Sequence, residues 1–199
     1  PKDVQNQHFR ITYLGKLYST SLRDPRLLFA AIYELLTEGL IAQDDLRLLF
    51  HVDKAAKDQL HALAQEYHIS HVVDVQGYIP RTQIVEVMHL SSILLVLTTT
   101  STPEGTHGIM GTKFFENIGV EKPILCVQSD EECLAHAIRT TQAGLAANNV
   151  KDTKAFILEK YHEWKQNGYT RQLVVNKEQF TRQYEAAQFE HLFIETLKL

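Results

Sequence analysis

Two cations stand in a short segment that follows a predicted strand. Lys16 comes directly after Gly15, and Arg23 lies just before the predicted start of a helix. The free N–H groups and the dipole of a helix amino end favour an anion, so these two side chains could bind a phosphate. The alternative is that both are solvated surface cations. The P-loop pattern GxxxxGK[ST] and the dinucleotide pattern GxGxxG are both absent from the sequence.

A glycine-containing turn follows another predicted strand. It reads Gly77, Tyr78, Ile79 and then proline. A glycine at this place lets a ligand approach the backbone closely. Tyr78 and Ile79 could then sandwich a planar ring while main-chain groups bond to the ring's edge. The alternative is a plain connecting turn in which Tyr78 only packs.

A third candidate segment runs from Gly108 into a predicted helix. Gly108 and Gly111 free the backbone, so that amide groups at the helix amino end can face a pyrophosphate. Lys113 adds a cation. Glu116, one turn into the helix, could accept hydrogen bonds from two ribose hydroxyls. The alternative for Glu116 is that it stabilises the helix dipole.

These segments alternate with apolar runs in a regular order. A strand-like run followed by a helix-period stretch recurs along the chain, which is typical of parallel βαβ units. We therefore predict one doubly wound α/β domain over residues 1–199, Rossmann-like, with a six-stranded parallel sheet and a long C-terminal helix. In such a sheet, ligands bind outside the carboxyl ends of the strands. The predicted strands are 9–14, 46–52, 72–75, 93–97, 123–127 and 143–147.

The helix boundaries follow from capping residues and apolar periodicity. Asp24, Asp53 and Asp130 are predicted N-caps, with Pro25 in the first helical position. On the last helix, the aromatic residues are predicted to pack rather than to bind a cofactor; they are Phe180, Tyr184, Phe189 and Phe193. The predicted helices are 25–38, 53–67, a stretch around 84–90, one from 112, one capped by Asp130 that contains residues 134–138, 152–165, and the last helix, 177–199.

Composition removes several classes of protein. The 199 residues carry 20 Lys plus Arg against 24 Asp plus Glu, without the basic stripe that nucleic-acid binding requires. The longest apolar run, residues 27–33, is too short to cross a membrane. Two isolated cysteines fit a reducing compartment. The histidines lack the spacing of a zinc site, so no metal is expected.

The first residues lack both a methionine and an apolar signal region. We therefore expect this chain to be a domain cut from a longer protein.

Taken as a set, the motifs resemble a known family. The order GKL with a later RDP, then GYIP, TKFFENIGVEKPIL and TTQAGLAANNVKD, resembles the carboxy-terminal donor-binding domain of GT-B glycosyltransferases. The retaining glycosyltransferase family 4 type, also called glycosyl transferases group 1, is the most similar. The resemblance covers residues 9–199.

The resemblance implies a site for a nucleotide-diphosphate sugar. Lys16 and Arg23, with Gly15, would hold the diphosphate, and Gly77, Tyr78 and Ile79 would cradle the base. Glu116, the second glutamate of the family's EX7E motif, would bond the ribose. The loop that meets the distal phosphate and the sugar would comprise Gly108, Ile109, Met110, Gly111, Thr112 and Lys113.

The sequence departs from the family pattern at one position. The first glutamate of EX7E should stand eight residues before Glu116, where this chain has Gly108. The identity of a sugar-contacting acid is therefore open. Glu104 could substitute for the missing glutamate, and His107 could contact the sugar.

The resemblance also implies the partners of the full-length protein. It would be a hexosyltransferase of polysaccharide biosynthesis, passing a sugar to a saccharide or to a lipid-linked cell-envelope acceptor. An N-terminal domain outside this chain would hold the acceptor, so the chain alone would be inactive. The last helix would cross back to that domain, so we expect an apolar patch large enough for a partner to be exposed there. No metal or other cofactor is expected, and the location would be cytoplasmic, with peripheral association at the inner membrane face left open.

Two other functional classes remain as alternatives. The first is a nucleotide-binding regulatory or interaction module of the α/β class, although the acidic residues of a receiver domain are absent. The second is another GT-B enzyme, such as a nucleotide-sugar epimerase, for which the sequence offers no convincing set of His and Glu residues.

Overall fold

The structure is a computed structural model, and it describes residues 4–17, 23–98, 110–129 and 131–197. Its centre is a sheet of six parallel strands in the order β3-β2-β1-β4-β5-β6. The predicted doubly wound α/β sheet is therefore confirmed. The strands are β1 Phe9–Leu14, β2 Leu46–His51, β3 Val73–Gln76, β4 Ile93–Leu97, β5 Ile124–Val127 and β6 Gly144–Ala147.

Helices connect the strands and cover both faces of the sheet. Two short 3-10 turns, Ser70–Val72 and Lys177–Phe180, supplement them. None of the helices in the described residues combines the length and the apolar character that a membrane crossing requires. The helices are α1 Arg26–Thr37, α2 Lys54–Glu66, α3 Arg81–His89, α4 Thr112–Gly119, α5 Cys133–Thr140, α6 Val150–Asn167 and α7 Arg182–Leu197.

Strand β4 shows why the sheet needs helices on both sides. Its residues Ile93, Leu95 and Leu97 pack in the cluster that α1, α2 and α6 complete. Leu94 and Val96, which point the other way, pack in clusters with residues of α3, α4 and α5. Successive side chains of a strand face opposite sides, so an unbroken apolar run buries both faces. Each such side chain contributes about 1.5–3 kcal/mol by its burial.

Side chains cap the amino ends of α2, as predicted, and of α6. The Asp53 carboxylate accepts a hydrogen bond from the Ala56 N–H at 3.1 Å. Helix α6 begins earlier than predicted because Asn149 caps it by accepting from the Asp152 N–H at 2.8 Å. It ends at Gly168, whose φ of 78° is a left-handed conformation suited to glycine.

Three predicted helix starts were wrong. Pro25 takes the N-cap position of α1 instead of the first helical position, although the Asp24 carboxylate still accepts from the Arg26 N–H at 2.9 Å. Asp130 lies outside the described residues, and the N-cap of α5 is Glu132. The last helix begins at Arg182 rather than at residue 177, since the Thr181 hydroxyl accepts from the Tyr184 N–H and so caps α7.

Of the four aromatic residues near the C-terminus, one packs on the described chain, and three form an exposed apolar surface of the kind expected on the last helix. Phe180 lies in the 3-10 turn, where its ring centroid is 5.2 Å from that of Phe114. Tyr184, Phe189 and Phe193 are exposed, because α7 buries none of its residues against the rest of the described chain.

Candidate functional site

The carboxyl ends of β1 and β4 form the point where the order of the sheet reverses. These two strands are neighbours, although they are far apart in sequence. The helix after β1 packs on one face of the sheet, and the helix after β4 packs on the other. The two connections therefore separate at this edge, and the crevice between them is the usual ligand site of a doubly wound sheet.

A small cavity of about 50 Å³ lies at this edge. Arg23, before α1, and Lys113, in the first turn of α4, both line it. Gly111, the N-cap of α4, also lines it. The structure thus brings together two cations and a helix amino end that the sequence holds far apart. The other lining residues are Tyr13, Leu95, Val96, Leu97, Thr98 and Leu134.

Two hydrogen bonds hold the backbone of the segment after β1 in place. The Tyr13 hydroxyl donates to the Lys16 carbonyl at 2.9 Å, and the Gly15 N–H donates to the His51 carbonyl at 3.1 Å. A side chain on Gly15 would bring its Cβ within 3.2 Å of the Tyr13 hydroxyl. Lys16 itself is exposed at the end of β1 and does not line the cavity.

The turn after β3 presents its backbone and one ring to the surface. Gly77 and Tyr78 are exposed, with 61% of Tyr78 accessible, whereas Ile79 is half-buried. A Cβ on Gly77 would meet none of the described residues within 4 Å. The Gly77 carbonyl accepts a hydrogen bond from the His51 ring at 3.2 Å. The turn therefore leaves room for a planar ligand beside its backbone.

Helix α4 directs its first charged residues to two different places. Lys113 lines the cavity and forms an ion pair of 2.7 Å with Glu116. Glu116 lines a separate open cleft. Met110, just before the helix, is half-buried against the cluster of α4 and α5. The cleft is lined by Thr112, Phe115, Glu116, Phe180, Arg182 and Glu185.

Four predicted site residues, Glu104, His107, Gly108 and Ile109, lie outside the described residues. Their roles stay predictions. Among the residues that the structure does describe, no three His, Cys, Asp or Glu side chains come together as metal ligands would.

Sequence reasoning missed three residues at this edge: Tyr13, His51 and Thr98. Tyr13 supports the Lys16 segment, and the Thr98 hydroxyl donates to the Gln128 carbonyl at 2.8 Å, which ties the end of β4 to the loop after β5. All three stand at the carboxyl end of an apolar run. This position could have identified them from the sequence, because residues at the carboxyl ends of strands in a parallel sheet meet at one edge.

Comparisons with known proteins agree with this architecture. No protein-family model and no curated protein matches the chain. Solved structures do match. The lipopolysaccharide outer core galactosyltransferase WaaB matches with a TM-score of 0.66 and 12% identity, over 95% of this chain and 50% of that one. HepE of Anabaena, solved in complex with UDP, gives a TM-score of 0.64 and 13% identity over 96% and 49%.

A third match is the sucrose-phosphate synthase of Thermosynechococcus elongatus, with a TM-score of 0.65 and 16% identity over 100% of this chain and 47% of that one. The chain therefore spans about half the length of these three proteins. The strand order, the helices on both faces and these matches lead to one conclusion about the fold. The chain has the fold of one Rossmann-like half of a GT-B glycosyltransferase.

Proposed function

We propose that this chain binds a nucleotide-diphosphate sugar and is the donor-binding domain of a retaining glycosyltransferase. The observation that carries the proposal is the cavity at the β1–β4 edge. There Arg23 and Lys113, from the two separating connections, face the same small space beside the amino end of α4. Cations together with free amide groups suit a phosphate.

The chemistry of sugar transfer explains the need for these charges. When the bond between the anomeric carbon and the diphosphate oxygen breaks, negative charge grows on the leaving nucleoside diphosphate. Fixed cations and oriented N–H groups stabilise that charge most in the transition state. Arg23, Lys113 and Lys16 would supply this stabilisation without a metal ion.

The ion pair between Lys113 and Glu116 does not oppose this role. Both side chains are partly exposed, at 36% and 48%, and such pairs contribute only about 0–1 kcal/mol. Lys113 can therefore turn to a phosphate at little cost. Glu116 would then be released to accept hydrogen bonds from the ribose hydroxyls.

The base would lie on the turn after β3. Gly77 leaves open space, and the exposed Tyr78 ring offers a face for stacking. Among the matching structures, HepE is a complex with UDP.

The acceptor would be bound by a separate N-terminal domain. The matching proteins are about twice as long as this chain, and the exposed apolar residues of α7 would contact that domain. We propose a saccharide or a lipid-linked acceptor, and we expect the chain alone to show no transfer activity.

The diphosphate assignment is tested by the double variant Lys16→Ala, Arg23→Ala. We expect it to abolish nucleoside diphosphate binding in calorimetry, since two of the cations are removed. The matched control is Lys54→Ala, Lys57→Ala, which removes the same charge from the exposed surface of α2. Unchanged affinity in the Lys16 and Arg23 variant would contradict the assignment.

The ligand class is tested by thermal shift with UDP, GDP, ADP, CMP and their sugars. A ligand at about 100 times its dissociation constant stabilises the folded state by about 2.7 kcal/mol. We expect one nucleoside diphosphate and its sugars to raise the melting temperature clearly. No shift with any member of the panel would contradict the proposed function and favour an interaction module.

A further inference from the structure

His51 is a buried residue that contacts both the segment after β1 and the turn after β3. It is the last residue of β2, only 3% exposed, and its neighbours in register are Leu14 of β1 and Gln76 of β3. Leu14 is followed by the segment that begins at Gly15, here called the phosphate segment. Gln76 is followed by the turn that begins at Gly77, here called the base turn. His51 therefore lies between the two places where the diphosphate and the base would bind.

The main chain and the ring of His51 make different contacts. Its carbonyl accepts from the Gly15 N–H at 3.1 Å. Its ring atom Nδ1 is 3.2 Å from the Gly77 carbonyl oxygen. A carbonyl can only accept, so Nδ1 must carry the proton and donate. The backbone of His51 thus holds the phosphate segment, and its side chain holds the base turn.

The other ring nitrogen of His51 makes no hydrogen bond among the described residues that would favour a buried histidine here. Its Nε2 atom is buried and has no partner among the described residues. A buried polar atom without a partner is costly, which argues against histidine as a mere space filler. An apolar side chain of similar size would fill this position more favourably, unless the Nδ1 contact is what matters.

We propose that His51 is a positioning residue, which holds the base turn at a fixed place relative to the phosphate segment. This inference rests on the proposed function, because the relative placement of the two loops matters only if one nucleotide binds to both. A nucleoside diphosphate must reach both loops at once, so their relative placement sets its affinity. Inorganic pyrophosphate would reach only the phosphate segment.

Three variants separate the contribution of the His51 ring from that of its main-chain carbonyl. His51→Leu keeps the volume and the main-chain carbonyl, but it removes the Nδ1 donor. His51→Asn keeps an N–H donor at the δ position, whereas His51→Gln moves that donor to the ε position. The matched control is His61→Leu, the same exchange on the exposed side of α2.

The first measurement is independent of any ligand. We expect His51→Leu to lower the NMR order parameters of the Gly77 and Tyr78 amides from about 0.85 toward 0.6 or below. The Gly15 amide should keep its value, because its acceptor is a main-chain carbonyl. His51→Asn should restore the order of the turn and His51→Gln should not. If His51→Leu does not fold, the comparison of His51→Asn with His51→Gln still shows whether a donor at the δ position orders the turn.

The second measurement is calorimetry with the nucleoside diphosphate that the wild type binds and with inorganic pyrophosphate. We expect His51→Leu to weaken the nucleoside diphosphate about three- to tenfold, the effect of one hydrogen bond. Pyrophosphate affinity should stay within about twofold. His61→Leu should change neither.

Several results would overturn the inference. They are unchanged order at Gly77 in His51→Leu, equal losses for the two ligands, or a His51→Asn variant as impaired as His51→Leu. If the wild type binds no nucleotide at all, the proposed function fails, while the order parameters still decide whether His51 holds the turn.

Discussion

Individual glycines of this chain serve two different purposes. A Cβ on Gly144, the first residue of β6, would lie 1.9 Å from the main-chain oxygen of Ile124 on the neighbouring strand. Among the described residues, a Cβ on Gly77 or Gly111 would meet nothing within 4 Å. Gly144 is therefore required by the packing of the sheet, whereas this packing does not require a glycine at Gly77 or Gly111.

We predict that Gly144→Ala destabilises the fold. Relief of the contact with Ile124 must move backbone, and overpacking of this kind costs about 1–3 kcal/mol. Urea unfolding followed by circular dichroism measures the change. The control is Gly119→Ala at the end of α4, where the added methyl meets nothing, and which should be neutral or stabilising by up to about 1 kcal/mol. Similar effects of the two variants would contradict this account.

We predict that Gly77→Ala leaves folding unchanged but weakens nucleotide binding. The added methyl fits sterically, and the backbone of Gly77 is not left-handed. The methyl would, however, occupy the space proposed for the base. We expect an affinity loss of about tenfold, or about 1.4 kcal/mol, by calorimetry. Unchanged affinity at an unchanged melting temperature would show that the base does not approach Gly77.

At the scale of elements, an ionic contact at the amino edge of the sheet joins α6 to the start of β2. The Tyr161 hydroxyl donates to the Asp45 carboxylate at 2.5 Å, and Lys165 donates to the same oxygen at 2.9 Å. Burial raises the pKa of Asp45, but these two hydrogen bonds outweigh it, so the pKa lies below its usual value. This contact lies at the edge opposite the candidate site.

We predict that Asp45→Asn lowers stability at neutral pH and leaves nucleotide binding intact. A depressed carboxyl pKa contributes stability above the unfolded value of about 3.9, and this is lost as the pH falls through the lower folded value. The variant should therefore be about 1 kcal/mol less stable at pH 7. The difference should shrink as the pH falls from the unfolded value of about 3.9 through the lower folded value.

Urea unfolding across pH 2–7 is the measurement for this contact. The control is Asp44→Asn, a change at the exposed neighbouring residue. An Asp45→Asn deficit that persists at the lowest pH would mean that the carboxylate charge is not the cause.

At the scale of the whole molecule, the chain divides into a packed α/β body and one exposed helix. Helix α7 has no buried residue, and Phe189 and Phe193 are 60% and 63% exposed. In contrast, α6 buries Ile157, Tyr161 and Trp164 in the core. The stability of the body should therefore depend on α6 and hardly at all on α7.

We predict that ending the chain after Thr181 changes the melting temperature by less than about 4 °C. A shift of this size corresponds to about 1 kcal/mol in a domain of this length. Binding of a hydrophobic dye should also fall, because the exposed apolar residues of α7 are removed. A chain ended after Glu163, which loses the buried residues Trp164 and Thr170, should not fold. Loss of cooperative unfolding in the longer chain would contradict the independence of α7.

Local pattern determined most of the fold. The bounds of β1 and β4 were predicted to the residue, because β1 alternates apolar and polar residues up to Gly15 and β4 is a continuous apolar run between polar residues. The caps of α7 and α5 were not, because side-chain caps compete with neighbouring turns and the pattern of apolar residues does not separate them. The spacing of the aromatic residues on α7 did not separate packing from exposure, and the structure shows them exposed.

The sequence by itself determined the fold class and the three segments at the carboxyl ends of the strands, since apolar periodicity and glycine position are local properties. Only the tertiary structure decided which side chains meet. It placed Arg23 and Lys113 around one cavity, turned Glu116 toward another cleft, and connected His51 to both loops. These contacts arise because a parallel sheet brings the ends of distant strands to one edge. Which atoms then face each other depends on strand register and helix orientation, which short sequence segments do not encode.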